Sequence, residues 1–232
     1  ISECLVGSEM CIRDRYMNRI RPFIGGELIK VMTGIRRSGK SVMLELIKEE
    51  LAEAGVAPSQ MISINFEDMR YSHLQTATAL HDEIIKRAEG IEGKAYLFFD
   101  EIQEVEGWEK CVNSLRVALD CDIYITGSNA KLLSGELATY IGGRYVEFVI
   151  YPFSFAEFLE LYHTIAPSDS IQQCFQKYLL AGGMPYLANL RYEEEPSRQY
   201  LTDLFNSVQL KDIVKRNKIC LLYTSPSPRD TR

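Results

Sequence analysis

The chain has 232 residues, with 26 basic and 32 acidic side chains and a net charge of −6 at neutral pH. That length suits one domain, or one domain with part of another. The mildly acidic balance excludes a broad basic surface for nucleic acid, but it is compatible with a local basic groove. No apolar run approaches the length of a membrane span, so a helical membrane protein is not expected.

The two ends of the chain show no periodic pattern. The stretch LVGSEMCIRD near the N-terminus, back-translated and read on the opposite strand, encodes LLYTSPSPR at the C-terminus. Natural termini have no reason to encode each other's complement, so we interpret both as translated sequencing adapter; the alternative is a pair of disordered native termini. Residues 1–15 and 220–232 are therefore excluded from the fold, and their deletion is expected to leave stability unchanged. Residues 16–219 are then expected to be an internal piece of a longer protein.

The excluded ends carry as many acidic as basic residues, so the net charge of the remainder is still −6. Of the six cysteines, Cys111, Cys121 and Cys174 lie outside these ends, and none has the spacing of a metal ligand. Their pattern favours a reduced, cytoplasmic setting over a disulfide framework.

The first predicted elements are a strand, a glycine loop and a helix. Leu28–Met32 is predicted to be a buried strand, and it leads into GIRRSGKS at Gly34–Ser41, which fits the pattern G-x-x-x-x-G-K-[ST]. Apolar residues at helical spacing continue from there to Gly55. This order suits phosphate binding, because glycines let backbone N–H groups wrap phosphate oxygens and the helix N-terminus adds a favourable dipole. The alternative is a glycine turn before a surface helix.

This loop supplies the predicted cofactor site. Lys40 can reach the β- and γ-phosphates and the Ser41 hydroxyl can bind Mg²⁺, so ATP and Mg²⁺ are the expected cofactors. The predicted nucleotide-binding residues are Gly34, Ile35, Arg36, Arg37, Ser38, Gly39, Lys40, Ser41 and Val42.

A second signal is the acidic pair in AYLFFDEIQ. Ala95–Phe99 is a continuous apolar run, as in a strand covered on both faces, and Asp100 and Glu101 follow it. Asp100 can hold Mg²⁺ directly or through water, and Glu101 can orient and deprotonate an attacking water. Without the phosphate loop, the same pair would be interpreted as a solvated turn.

A third signal follows the predicted strand Asp122–Thr126. A short polar side chain at the carboxyl end of such a strand can sense the γ-phosphate and help to fix the water. Asn129 is the first candidate for this catalytic role and Ser128 the second. The alternative is a simple Gly-Ser-Asn turn.

The remaining pattern completes an α/β fold. Strands alternate with helices up to about residue 152, which predicts a three-layer α/β/α P-loop NTPase fold with a mostly parallel five-stranded sheet. From Phe153 onward the pattern is helical only, and Gly182-Gly183 followed by Pro185 predicts a helix end. The other predicted strands and helices are Met61–Asn65, Leu74–Glu89, Trp108–Leu119 and Tyr145–Ile150, with Trp108, Val112, Leu115 and Val117 as core residues of the second helix.

Four stretches in order, GIRRSGKS, YLFFDEIQ, ITGSNAKLL and GGRYVEFVIYPFSFAEFL, resemble an AAA+-type ATPase family of bacterial and archaeal proteins with a C-terminal domain of unknown function. The resemblance implies an ATPase core over residues 16–152 and a helical lid or start of a C-terminal region over 153–219. It also implies that the acidic pair lies on the strand beside the phosphate loop. By the same resemblance, Arg144 in GGRY is a candidate γ-phosphate-sensing arginine; the residues alone leave it equally open as a surface residue that starts a strand.

Three functions remain open at this point. The first is Mg²⁺-dependent ATP hydrolysis coupled to conformational change in a C-terminal domain beyond this chain. The second is a nucleotide-gated binding module with negligible turnover, and the third is a P-loop kinase, for which the helical tail offers few arginines. Partner candidates are a second copy of the chain, and DNA or a protein bound through the further domain; no membrane partner is expected.

Overall fold

The computed structural model describes residues 13–127 and 141–208, which form one five-stranded sheet with helices on both faces and a helical region after it. The strands are β1 (Ile29–Thr33), β2 (Met61–Asn65), β3 (Ala95–Asp100), β4 (Cys121–Thr126) and β5 (Tyr145–Val149). The helices are α1 (Asp14–Ile20), α2 (Lys40–Glu53), α3 (Ala77–Ala88), α4 (Trp108–Ala118), α5 (Phe155–Ile165), α6 (Ile171–Ala181) and α7 (Glu194–Val208). Short 3₁₀ turns lie at Arg21–Phe23, Pro58–Gln60, Met69–Leu74, Ile102–Glu104 and Pro185–Ala188.

The sheet has the order β2-β3-β4-β1-β5, and every strand pairing in it is parallel. The predicted three-layer α/β/α fold with a following helical region is therefore confirmed. One implication of the family resemblance is wrong: the acidic pair is not on the strand beside the phosphate loop. β4 lies between β3, which carries the pair, and β1, which leads into the loop.

Alternation along the strands divides the core between the two faces of the sheet. In β3, Leu97 and Phe99 pack with residues of α3 and α4, whereas Phe98 packs on the opposite face with residues of α1 and α2. Phe98 is stacked on Tyr124 of β4, with ring centroids 4.8 Å apart. Both faces are covered, which explains why these strands are almost continuously apolar.

The helix α4 corrects one predicted core residue. Trp108, Val112 and Leu115 are buried as expected, but Val117 is 83% exposed. The first three recur at helical spacing and share one face, while Val117 follows Leu115 by two positions and points away from it.

The first residues described also differ from expectation. Arg13 is buried, Asp14 begins α1, and α1 buries Tyr16, Met17 and Ile20 against the sheet. The exclusion of residues up to 15 from the fold is therefore wrong for the last three of them. Whether those residues derive from adapter sequence stays a prediction.

The helical region has a core of its own built on aromatic rings. Phe158 and Tyr162 of α5 lie 5.0 and 5.4 Å from the Tyr192 ring, measured between centroids. Ser154 and Ser170 cap α5 and α6 through reciprocal hydrogen bonds with the residue three positions on. α6 ends at Ala181, and Gly182 follows with a positive φ, which confirms the predicted helix end.

Two further properties of the described ranges concern the cysteines and the helices. Cys111, Cys121 and Cys174 are all free thiols. Within the same ranges, none of the helices combines the length and the apolar character that a membrane crossing requires.

A buried ion pair lies at the amino-terminal edge of the sheet. Lys30 of β1 donates to Asp122 of β4, and both side chains are fully buried. The carboxylate also accepts from the Tyr124 hydroxyl and the Gly25 backbone N–H, each at 2.7 Å. Burial lowers the pKa of Lys30, and the nearby Asp122 opposes that effect.

We expect Asp122→Asn to lower the free energy of unfolding by about 3–5 kcal/mol, because it leaves a buried ammonium group without a counter-charge. Urea unfolding measures the loss. The matched control is Glu50→Gln, which breaks the partly exposed Arg21–Glu50 pair and should cost below about 1 kcal/mol. Equal losses in the two variants would contradict a special role for the buried pair.

Candidate nucleotide-binding site

The glycine loop connects the carboxyl end of β1 directly to α2. Gly34 and Gly39 both have positive φ angles, 152° and 100°. A Cβ atom at Gly34 would lie 2.2 Å from the Ile150 carbonyl oxygen, so only glycine fits there. The loop is thereby held against the start of the chain that leads from β5 into the helical region.

Lys40 begins α2 and is 5% exposed. Its Nζ lies 3.2 Å from the Ile35 carbonyl oxygen and 3.4 Å from that of Gly34. The same nitrogen lies 3.6 Å from Oε1 of Glu101. In this structure the loop lysine is thus partnered by its own loop and by the acidic pair.

Asp100 is the last residue of β3 and is held from both sides. Its Oδ1 accepts a hydrogen bond from the hydroxyl of Thr126, on β4, and its Oδ2 accepts from the amide of Asn65, on β2, at 3.2 Å. Because the strands are parallel, their carboxyl ends meet at one edge and bring these three polar side chains together.

Glu101 follows Asp100 with a left-handed backbone, φ 55° and ψ 45°. Its backbone N–H donates to Thr126 Oγ1 at 3.0 Å, and its Oε2 accepts from the side-chain amide of Gln103. With the contact to Lys40, both ends of the carboxylate are engaged.

A cavity of about 350 Å³ opens in front of these groups. Its charged lining consists of four cationic and two acidic side chains, and the helical region contributes apolar and aromatic residues. The lining residues are Arg13, Arg36, Arg37, Gly39, Lys40, Ser41, Val42, Glu67, Glu101, Phe153, Pro185 and Tyr186. The excess of positive charge suits an anionic ligand.

The two loop arginines contact different parts of the molecule. Arg36 forms an ion pair with Glu67 at 2.6 Å, just after β2. Arg37, with φ 63°, places its guanidinium 5.7 Å from the ring centroid of Tyr200 on α7. The two loop arginines therefore contact the segment after β2 and the helical region, respectively.

Arg13 contacts both the glycine loop and the helical region. It is 1% exposed, and it donates to the Ser38 carbonyl oxygen at 2.7 Å and to that of Tyr151 at 3.0 Å. It also pairs with Glu157 of α5 at 3.3 Å and lies over the Phe153 ring. Burial lowers the pKa of this guanidinium, and Glu157 opposes that effect.

The residues at this edge fit a magnesium nucleotide. Within the ranges that the structure covers, no cluster of three or more histidine, cysteine or acidic side chains could hold a metal by itself. Mg²⁺ is commonly held by one or two protein oxygens together with water and phosphate oxygens. Asp100 and Ser41 supply protein oxygens of that kind.

The structure brings most of the predicted site residues together, but not all. The loop residues, Lys40, Asp100 and Glu101 lie at one edge of the sheet. Arg144 lies at the other edge: its carbonyl oxygen accepts from the N–H of Ile29, the first residue of β1, and its guanidinium donates to Asn113. Arg144 therefore does not reach the phosphate loop of its own chain. Ser128 and Asn129 lie outside the described residues.

Several site residues were missed from sequence. Asn65 and Thr126 are the last residues of predicted strands, and a polar residue at the carboxyl end of a buried parallel strand was the available signal. Gln103 follows the acidic pair by two positions without a motif to mark it. Arg13 had no signal, because its partners lie at 38, 151 and 157 along the chain.

A glycine loop between a buried strand and a helix, with an acidic pair at the same edge two strands away, defines a P-loop NTPase-type domain. The family model described as "AAA domain" matches residues 27–159, which is more than half of the chain. The chain belongs to this AAA domain family.

Two relatives extend well beyond the length of this chain. An uncharacterized protein of Haemophilus influenzae is 40% identical over 208 residues, covering 89% of this chain and 51% of the relative. An uncharacterized protein of Methanocaldococcus jannaschii is 34% identical over 200 residues, covering 82% of this chain and 43% of the relative. The chain thus spans about half the length of these relatives.

Two solved structures are similar to this chain at low sequence identity. The Aeropyrum pernix Orc1 protein in complex with DNA is 14% identical, with a TM-score of 0.47, over 90% of this chain and 69% of that chain. A mutant of Thermotoga maritima RuvB is 13% identical, with a TM-score of 0.48, over 86% of this chain and 68% of that chain.

We expect Arg13→Ala to lower the free energy of unfolding by about 1–3 kcal/mol, because the Ser38 and Tyr151 carbonyls lose their donor. Urea unfolding again provides the measurement. Arg15→Ala, at an exposed position of the same segment, should change stability by no more than about 0.5 kcal/mol. An unchanged Arg13→Ala protein would restore the expectation that residues up to 15 are dispensable.

Proposed function

We propose that this domain binds ATP with Mg²⁺ and hydrolyses it. The observation that carries the proposal is the contact between Lys40 and Glu101, 3.6 Å apart, on the wall of a cavity with excess positive charge. A loop lysine that binds phosphate and a carboxylate that can accept a proton from water are the two groups that hydrolysis needs.

Each of these residues has a defined task in the proposed reaction. Lys40 exchanges its contacts to the loop carbonyls and Glu101 for the β- and γ-phosphate oxygens. That exchange frees Oε1 of Glu101 to orient a water molecule and accept its proton. Asp100 and Ser41 would hold Mg²⁺, which supplies charge neutralisation on the phosphates when bound. Asn129, or Ser128, is proposed to sense the γ-phosphate.

A binding module with negligible turnover is the second candidate. The ion pair and the hydrogen bond that engage the two carboxylate oxygens of Glu101 favour it, because a carboxylate held in this way activates water only after Lys40 has moved. A kinase has less support. Among the described residues that line the cavity, the helical region contributes Phe153, Pro185 and Tyr186 and no arginine to bind an acceptor phosphate.

The proposal extends to the longer protein. Since the chain spans about half of its relatives, we infer that nucleotide turnover alters a domain beyond this chain, which binds DNA or another protein. Support comes from Arg37, a loop residue whose guanidinium lies 5.7 Å from the ring centroid of Tyr200 on α7. A change in loop conformation would therefore alter a contact with the helical region.

We expect Glu101→Gln to retain nucleotide affinity and to lower turnover by about 10²–10⁴-fold, because the amide keeps the shape but cannot accept a proton. Phosphate release without an added acceptor measures turnover, and thermal stabilisation by Mg·ATP measures binding. Lys40→Ala is the companion variant: it should lose the stabilisation itself, since it removes the charge that meets the phosphates. Equal turnover of Glu101→Gln and the parent protein would remove Glu101 from the mechanism, and negligible turnover in both, with nucleotide binding retained, would favour the binding module.

Arg144 is proposed to act on the nucleotide of a neighbouring copy, since it lies at the opposite edge from its own loop. An arginine supplied in trans can accelerate phosphoryl transfer by roughly a thousandfold or more. In the full-length protein, mixing Arg144→Ala with Lys40→Ala should restore part of the activity, because some interfaces then pair an intact loop with an intact arginine. Absence of rescue, in variants that light scattering shows to associate, would remove Arg144 from the reaction.

A further inference from the structure

Thr126 lies at the carboxyl edge of the sheet, next to the acidic pair. It is the last residue of β4, the strand between the one that feeds the phosphate loop and the one that carries the acidic pair. Its side chain is fully buried. Its hydroxyl bonds to both acidic residues at once: it donates to Asp100 Oδ1 and accepts from the backbone N–H of Glu101 at 3.0 Å.

The chemistry of a hydroxyl accounts for this double contact. A threonine hydroxyl has one proton to donate and two lone pairs to accept with. Because the proton goes to Asp100, a lone pair is left to receive the N–H of Glu101. Valine has the same shape but can make neither bond, whereas serine can make both.

The bond to Glu101 matters because of the backbone at that residue. A left-handed conformation is unfavourable for a residue with a side chain, and Glu101 adopts it with φ 55°. The N–H of Glu101 points at Thr126 in this conformation, while its carboxylate reaches Lys40 and Gln103. Without the hydroxyl, position 126 no longer favours this backbone conformation, and only the contacts with Lys40 and Gln103 still hold the carboxylate at the cavity wall.

We propose that Thr126 is a positioning residue for hydrolysis: its hydroxyl holds Glu101 where the carboxylate can reach the attacking water. The inference rests on the proposed function and deepens it. In this proposal, the position of Glu101 is set by β4, a strand that contributes no described residue to the cavity lining. Thr126 is not among the described residues that line the cavity, so we propose that it acts through Glu101.

The test compares Thr126→Val and Thr126→Ser with the parent protein. Thr126→Val should lower turnover by roughly ten- to a hundredfold while the Kd for Mg·ATP stays near the parent value. Thr126→Ser should recover most of the turnover. A merely structural threonine would change binding and turnover together, so the split between them is the informative readout. Should Thr126→Val not fold, Thr126→Ala also lacks the hydroxyl and carries the same expectation.

Asn65→Ala is the matched control, because Asn65 bonds to the other oxygen of Asp100 and does not touch Glu101. At saturating Mg²⁺ it should reduce turnover less than Thr126→Val does. Equal losses would mean that Thr126 acts through Asp100 alone and would overturn the role proposed for Glu101. Parent-like turnover in Thr126→Val would overturn it as well. A parent protein that releases no phosphate would instead overturn the proposed function itself.

Discussion

Lys40 and Glu101 hold opposite charges 3.6 Å apart at the carboxyl edge of the sheet, and their side chains are only 4% and 19% exposed. Buried charges require partners. Here Lys40 and Glu101 are partners of each other. The loop carbonyls also accept from Lys40, and Gln103 also donates to Glu101. In the proposed reaction, an anionic ligand that binds Lys40 would therefore also release Glu101, and nucleotide binding would be linked to the availability of the proposed base.

The parallel sheet makes this meeting possible. Carboxyl ends of parallel strands gather at one edge, so residues distant in sequence become neighbours there. Asn65, Asp100 and Thr126 end three adjacent strands and satisfy one another's hydrogen bonds. At the opposite edge of the sheet lies the buried Lys30–Asp122 pair, and neither residue lines the cavity.

The helical region forms part of the cavity wall, together with residues at the carboxyl edge of the sheet. Arg13 reaches the loop at Ser38 and α5 at Glu157, and Arg37 reaches Tyr200 on α7. Phe153, Pro185 and Tyr186 complete the wall from the same side. The loop that would hold phosphate is thus in contact with both α5 and α7, either directly or through one side chain.

Local pattern determined much of this protein. The apolar runs placed the strands to within a residue or so, because a strand buried on both faces must be apolar, and the glycine pattern identified the loop because only glycine fits at Gly34. The end of α6 at Ala181, just before Gly182, followed from the same local chemistry.

The strand order was decided by packing across the sheet, and it put β4 between the loop and the acidic pair. Long-range packing likewise exposed Val117, buried Arg13, set Arg144 at the far edge and brought the Thr126 hydroxyl to Glu101. Sequence patterns record what each segment needs locally, whereas these placements depend on partners that only the folded chain brings within reach.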